Sequence, residues 1–302
     1  MRRLPQHDWF LASERKDGRR RLPPWGRGGT LPRMPNEPLS ALALAGVFLA
    51  SVLGGGVNAI AGGGTLLTFP ALVGLGVPAL TANATSTVAL WPGALSSMWG
   101  YRGELRGARA WVARITLPSI AGGALGAWLL LRTPPDRFAR IVPFLVLGAT
   151  LLFLAQGPMM RRLRRTGSGA GEGGAAPADR DPELAPWAFV AAQFGIGVYG
   201  GYFGAGIGIL MLAGLGLMGF TNIHRMNGLK NWGAVCMNVV AAGIFAFSGV
   251  VHWPVALTMA AGGLLGGYAG SRMAQRVGQQ RVRRAIVAIG LASFLFLLLR
   301  PL

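Results

Sequence analysis

The chain has 302 residues, is 52% hydrophobic and only 13% charged, and carries a formal net charge of +19. Soluble domains carry roughly 25% charged residues, so this composition belongs to a polytopic integral membrane protein rather than a soluble enzyme or binding module. The charge does not mark a nucleic-acid binder either: the basic residues sit in an N-terminal extension and in short loops between apolar runs, where Lys and Arg set topology.

Residues 1–38 are polar, proline-rich and basic, with Arg19, Arg20 and Arg21 in a row. Such a stretch cannot bury a core and is expected to be disordered. Leu39–Leu53 supplies apolar length but runs straight into a glycine-rich stretch, so no cleaved signal peptide is read here. Met34 reads as an alternative start, because everything upstream looks unrelated to the membrane part.

The stretch Gly54–Ser86, GGGVNAIAGGGTLLTFPALVGLGVPALTANATS, is too apolar for a surface loop. It is also too rich in glycine and proline for an ordinary helix, where glycine costs about 1 kcal/mol against alanine and proline about 3. A second copy, GVYGGYFGAGIGILMLAGLGLMGFTNIHRMNG, covers Gly197–Gly228. Broken apolar segments at matching places in two halves point to a transporter binding site. The clean apolar runs Ala84–Gly100, Trp111–Leu131, Phe138–Gln156, Asn231–Val251 and Pro254–Ser271 approach the ~20 residues that cross a hydrocarbon core.

Shifting by 142 residues places Gly62-Gly63-Gly64 on Gly204-Ala205-Gly206, Thr85 on Asn227 and Gly148 on Gly290; shifting by 140 places Ile120–Gly126 on Ala260–Gly266. The chain therefore reads as an internal duplication, with a first transmembrane repeat over 39–157, a flexible linker over 158–186 and a second repeat over 187–302. The linker is rich in Gly, Ala and charge, and its arginines favour the cytoplasm, as do those of Tyr101–Arg109 and Arg272–Arg284. The uncharged turn Gly249–Trp253 stands opposite the arginine-bearing Tyr101–Arg109, which favours inversion of one repeat. The expected fold is an all-α polytopic membrane protein of two inverted four-segment repeats, about eight transmembrane segments, with broken or re-entrant glycine-rich segments. Inversion needs an odd number of crossings per half, so each broken unit should enter and leave by one side. That puts both termini outside, against the nine basic residues before Leu39, a conflict that a start at Met34 removes.

These residues resemble the sulfite exporter TauE/SafE family: the paired glycine-rich stretches, P-A-L-x-x-x-G-V-P and A-N-A-T-S in the first half, and S-G-x-V-x-W-P followed by G-G-L-L-G-G-Y-x-G in the second. The resemblance covers about Ser40 to Leu302. It implies a secondary transporter that exports sulfite or related sulfur-containing organic anions across the cell (inner) membrane, from two four-segment bundles around a central site. Onto this chain the pattern carries Gly62, Gly63, Gly64, Pro70, Thr85 and Ser86, then Gly204, Gly206 and Gly208. Where many members repeat a Gly-Thr-Ser-like turn, this chain has Met226-Asn227-Gly228-Leu229-Lys230-Asn231.

Read without the family, the same residues suit a small anion. Half-helices ending near the midplane present N–H groups and a partial positive charge, and glycines let an anion approach them. Thr65, Asn83, Thr85, Ser86, Asn227 and Asn231 add side-chain donors. Lys230, the only lysine after Lys16, contacts substrate or snorkels to the interface. His224 and Arg225 read as topology or headgroup residues, His252 as interfacial, Asn238 as an interhelical hydrogen bond, and Gly122, Gly126, Gly262 and Gly266 as close-packing positions. Acids after Glu37 are confined to Glu104, Asp136 and the linker, so neither a carboxylate proton relay nor a cation site is expected.

Cys236, alone, reads as a small buried hydrophobe, and no cofactor or metal is expected. An enzyme would need a nucleophile–base pair, metal cluster or paired carboxylates, none of which the sequence offers, and the glycine stretch lacks the Gly-Lys-Ser/Thr of a nucleotide-binding loop. The rivals to a carrier of sulfur anions are a passive anion channel, a carrier of non-sulfur carboxylates, and a scaffold without flux. The partners are a small anionic substrate and the lipid bilayer; exposed packing glycines allow a homodimer without requiring one.

Overall fold

The structure, a computed structural model, describes residues 40–60, 62–167, 187–220, 222–273 and 279–299. Among them the chain is helical throughout, without a strand: α1 (Ala41–Ile60), α2 (Thr65–Gly74), α3 (Ala79–Gly100), α4 (Arg109–Arg132), α5 (Pro135–Gly167), α6 (Trp187–Tyr202), α7 (Ile207–Leu217), α8 (Ile223–Ser248), α9 (Trp253–Met273) and α10 (Gln279–Leu299), with a short 3-10 turn at Arg102–Leu105. The N-terminal extension with Met34 and most of the expected linker lie outside the described residues. The linker was expected from residue 158, but α5 continues to Gly167. Its last turns hold Arg161, Arg162, Leu163, Arg164 and Arg165, good helix formers that carry the helix past its apolar part.

Among the described residues, four helical stretches are long and apolar enough to cross a membrane by length and composition: Ala41–Ile60, Arg109–Arg132, Pro135–Ala155 and Ile223–Ser248. The expected count of about eight is thus not reached on these grounds. α2 and α7 are short, with 10 and 11 residues. α3 has the length, at 22 residues, but its polar residues dilute its hydropathy. Thr81, Asn83, Thr85, Ser86 and Ser97 of α3 are all buried. A helix wrapped by its neighbours can carry polarity inward without presenting it to lipid.

Each glycine-rich stretch breaks a helix and turns the chain back. A Cβ at Gly54 would lie 2.9 Å from Thr68 Cγ2 and 3.2 Å from the Gly64 carbonyl, and one at Gly64 would lie 3.1 Å from Asn58 Cβ. On a continuous helix Gly54 and Thr68 would be about 21 Å apart; they touch because α2 runs back along α1. Likewise a Cβ at Gly200 would sit 3.4 Å from Ile207, and one at Gly214 would sit 3.4 Å from Phe189. α7 folds back along α6 in the same way.

The hairpins are held by the long helices that follow them in sequence, crossed over. α1 packs along α9 and α6 along α4, while α3 meets both α8 and α9 and α8 meets α4. Small residues allow the backbones to touch. A Cβ at Gly122 would run into the Phe194 carbonyl and one at Gly126 into that of Val198; at Gly262 it would meet Phe48 O, and at Gly266 Val52 O. The same two contacts, one helical turn apart, therefore occur in α4–α6 and in α9–α1. Phe69 of α2 packs edge-on against Phe203 at 5.6 Å, which places the end of α6 against the first hairpin.

These contacts predict that Gly126→Val, which forces a side chain into a backbone interface, lowers stability by about 1–3 kcal/mol. Gly148→Ala, at an α5 position with nothing within 4 Å, should leave the melting temperature of the detergent-solubilised protein unchanged or slightly raised.

Candidate functional site

The two breaks meet each other. Gly62 takes a left-handed φ of 79°, and Gly204 and Gly206 take 81° and 80°, a region that costs other residues about 1–2 kcal/mol. A Cβ at Gly62 would run into the backbone of Gly208, in the first turn of α7, and one at Gly204 would come within 4.0 Å of Thr65 Oγ1, in the first turn of α2. α5 lies against both breaks: a Cβ at Gly63 would strike the Phe153 ring, and one at Gly206 would lie 3.5 Å from Ala149 Cβ. Neither α2 nor α7 has a side-chain cap at its start, which leaves both helix N-termini to the region where the breaks come together.

The carbonyl ends of the broken helices are closed from the opposite half. At the end of α1, Gly62 N donates to Val57 O and Asn58 O at 3.2 and 3.1 Å. The Lys230 ammonium of α8 then donates to Asn58 O at 3.3 Å and Ala59 O at 3.1 Å. At the end of α6, Phe203 N and Gly204 N donate to Tyr199 O at 2.9 and 3.1 Å. Asn83 Nδ2 of α3 donates to Tyr202 O at 2.9 Å, and the Tyr199 hydroxyl donates to Ala205 O at 2.7 Å. Orphan helix-end carbonyls need such partners wherever water is excluded.

The structure divides the sequence-predicted residues into groups. Gly62, Gly63, Gly64, Thr65, Gly204, Gly206 and Gly208 line the meeting breaks. Asn83 and Lys230 reach the helix ends beside them. Asn227 and Asn231 share the buried face of α8 with Lys230, each 3% exposed; Asn227 Oδ1 and Asn231 Nδ2, like Asn83 Oδ1, have no hydrogen-bond partner among the described residues. Thr85 and Ser86 are used for assembly. Thr85 Oγ1 accepts from His252 N at 3.0 Å, fastening the α8–α9 connection to α3. Ser86 Oγ lies 2.6 Å from Thr68 Oγ1, fastening α2 to α3.

Arg225 works at the other end of α8's first turns, donating from Nη1 to Glu104 O and Arg106 O at 3.2 Å each. It docks the α3–α4 connection onto the start of α8, where Asn222 accepts from His224 N and Arg225 N as the N-cap. In that connection burial pushes the Tyr101 phenol above its usual pKa, and Glu104 adds to the rise.

Four residues at the centre were not singled out from sequence. Thr68 carried a signal, a hydroxyl inside an apolar run. Asn58, Ala59 and Tyr202 carried none, because each contributes a backbone carbonyl that every residue possesses.

A family model described as Sulfite exporter TauE/SafE matches residues 47–297. A probable membrane transporter protein, ORF9, of Sinorhizobium sp is 31% identical over 274 residues, covering 88% of this chain and 96% of that protein. A probable membrane transporter protein of Haemophilus influenzae is 30% identical over 249 residues, with 81% and 90% covered. The probable membrane transporter protein YfcA of Escherichia coli K12 is 29% identical over 255 residues, with 83% and 88% covered. No solved structure matches the chain. The chain belongs to the sulfite exporter TauE/SafE family and is a multi-pass membrane transporter of that family.

Two left-handed glycines separate backbone strain from close approach. Gly76 has φ 84° and open space around it, whereas Gly62 faces Gly208. Gly76→Ala should cost about 1–2 kcal/mol. Gly62→Ala should cost more, seen as a lower melting temperature and a smaller monodisperse fraction on size-exclusion chromatography.

Proposed function

We propose that this member of the family exports small sulfur-containing anions, sulfite or a sulfonate, across the cell (inner) membrane by alternating access between two inverted repeats, residues 39–157 and 187–302. The observation that carries this reading is Lys230. Its side chain is 1% exposed, and its hydrogen-bond partners are two neutral carbonyls. The acids among the described residues, Glu104 and Asp136, lie in the 3-10 turn, which packs on α8 at Gly228, and in the first turn of α5, and neither is a hydrogen-bond partner of Lys230. A buried cation is costly unless an opposite charge or good hydrogen bonds compensate it, and a bound anion supplies that charge.

Other features favour an anion over a cation at this point. The starts of α2 and α7 bring partial positive charge to the meeting breaks, and the glycines there admit a multi-oxygen ligand to the backbone. Asn231 Nδ2 adds an uncommitted buried donor. The crossed packing of α1 with α9 and of α6 with α4 fits two related halves that rock about a shared centre, as alternating access asks. The family description names sulfite, and the three relatives are named only as membrane transporters, so the choice among sulfur anions rests on the family alone.

The test is radiolabelled sulfite flux in proteoliposomes, with thiosulfate, sulfoacetate, taurine and acetate as competitors. Saturable counterflow blocked by a sulfur anion is expected. Ohmic current would replace the carrier by a channel, and flux of acetate without sulfite would replace the substrate class. Lys230→Ala or Asn227→Ala should lower sulfite flux on the order of tenfold or more, the scale of a lost charge-assisted hydrogen bond, with membrane expression retained. Unchanged flux in both variants would remove α8 from the site.

A further inference from the structure

We infer that Lys230 is a built-in counter-cation: its ammonium occupies the place at the end of α1 where a carrier with broken helices binds a coupling metal cation, so transport proceeds without one. The inference rests on the anion reading above and names how that anion's charge is balanced.

The carbonyl end of a helix carries about half a negative charge. In carriers built on discontinuous helices, such ends and the unwound carbonyls beside them coordinate the coupling cation, while the N-terminal ends face the anionic substrate. Here α1 stops at Ile60, at a turn made by left-handed Gly62. Two of its last carbonyls, Asn58 O and Ala59 O, point at one cation, and that cation is Lys230 Nζ at 3.3 and 3.1 Å. An ammonium is a compact, strongly hydrated charge with three donors, so two carbonyls leave it one direction in which to meet an anion.

The end of α6 shows that the charge is not needed merely to close a break. There a neutral amide, Asn83 Nδ2, holds Tyr202 O at 2.9 Å. Asn83 is fully buried, so a neutral donor suffices at a site just as dry. Among the described residues a lysine grips the carbonyl end of α1 and an amide that of α6. Of the elements packed against α8, α1, α3 and α7 contain no ionisable side chain; α4 carries arginines only, and the one acid, Glu104, sits in the 3-10 turn against Gly228. With the Lys230 amine between a carbonyl end and two helix N-termini, an anion bound beside it holds it in its ammonium form.

Two measurements on the full-length protein test this. Labelled sulfite flux in proteoliposomes should be the same with sodium chloride as with choline chloride inside and out. In detergent, the wild-type melting temperature should not rise with sodium. Lys230→Ala should melt lower, and should regain stability saturably with methylammonium chloride, as binding to the native state requires. Sulfite flux that stops in choline and returns with sodium would overturn the inference while leaving the anion carrier intact. So would a Lys230→Ala protein that neither loses stability nor responds to methylammonium. Absence of sulfite flux in both media would instead overturn the proposed substrate, and the melting comparison would still decide the role of Lys230. Should Lys230→Ala not fold, a saturable rise of the wild-type melting temperature with sodium remains the result that refutes it.

Discussion

A helix that stops inside a protein buried in lipid leaves carbonyl groups with neither a next turn nor water to bond them. This chain stops two helices inside its packed interior, α1 at Ile60 and α6 at Tyr202, and much of the central architecture follows from satisfying those ends. Local turns do part of the work: Gly62 N and Gly204 N bond back into the helix that has just ended. The rest comes from across the molecule, Lys230 for α1 and Asn83 for α6. Each broken end thus takes a further hydrogen bond from a long helix of the other half, beyond what its own half supplies.

That exchange depends on how closely the helices approach. α4 can lie on α6, and α9 on α1, because Gly122, Gly126, Gly262 and Gly266 present bare backbone to carbonyls of the partner helix. In lipid there is no hydrophobic gain from bringing helices together, so dispersion contacts between closely fitted backbones carry much of the association. With those pairs in place, α3 and α8 are set side by side between the hairpins, and their polar residues fall at the breaks. Thr85 and Ser86 illustrate the cost of a crowded centre. Their hydroxyls are engaged in fastening the α8–α9 connection and α2.

The electrostatic character of the centre follows from the same arrangement. Two helix starts and the Lys230 amine lie close to the breaks, and the amide atoms Asn227 Oδ1 and Asn231 Nδ2 are left without protein partners among the described residues. A buried orphan of this kind is tolerated where a ligand or water completes it. The two helix ends are capped differently, by the Lys230 amine at α1 and by the Asn83 amide at α6.

The amino-acid sequence by itself determined that this is a helical membrane protein, where its helices break, and which glycines bring helices together. Those features depend on local rules: hydropathy over a span, the helix cost of clustered glycine, and spacing by one helical turn. It also marked Lys230 as out of place in an apolar run. The last turns of α5, past residue 158, are not legible in composition, because their glycine- and charge-rich surroundings hide an arginine-rich run that still prefers helix. Only the tertiary structure decided that α1 lies on α9 and α6 on α4, that Thr85 and Ser86 are fastenings, and that Lys230 and Asn83 grip helix ends in the opposite half. The reason is physical: those side chains bind backbone carbonyls, an acceptor identical in every residue, so which carbonyl is within reach is a property of the packed chain and not of its letters.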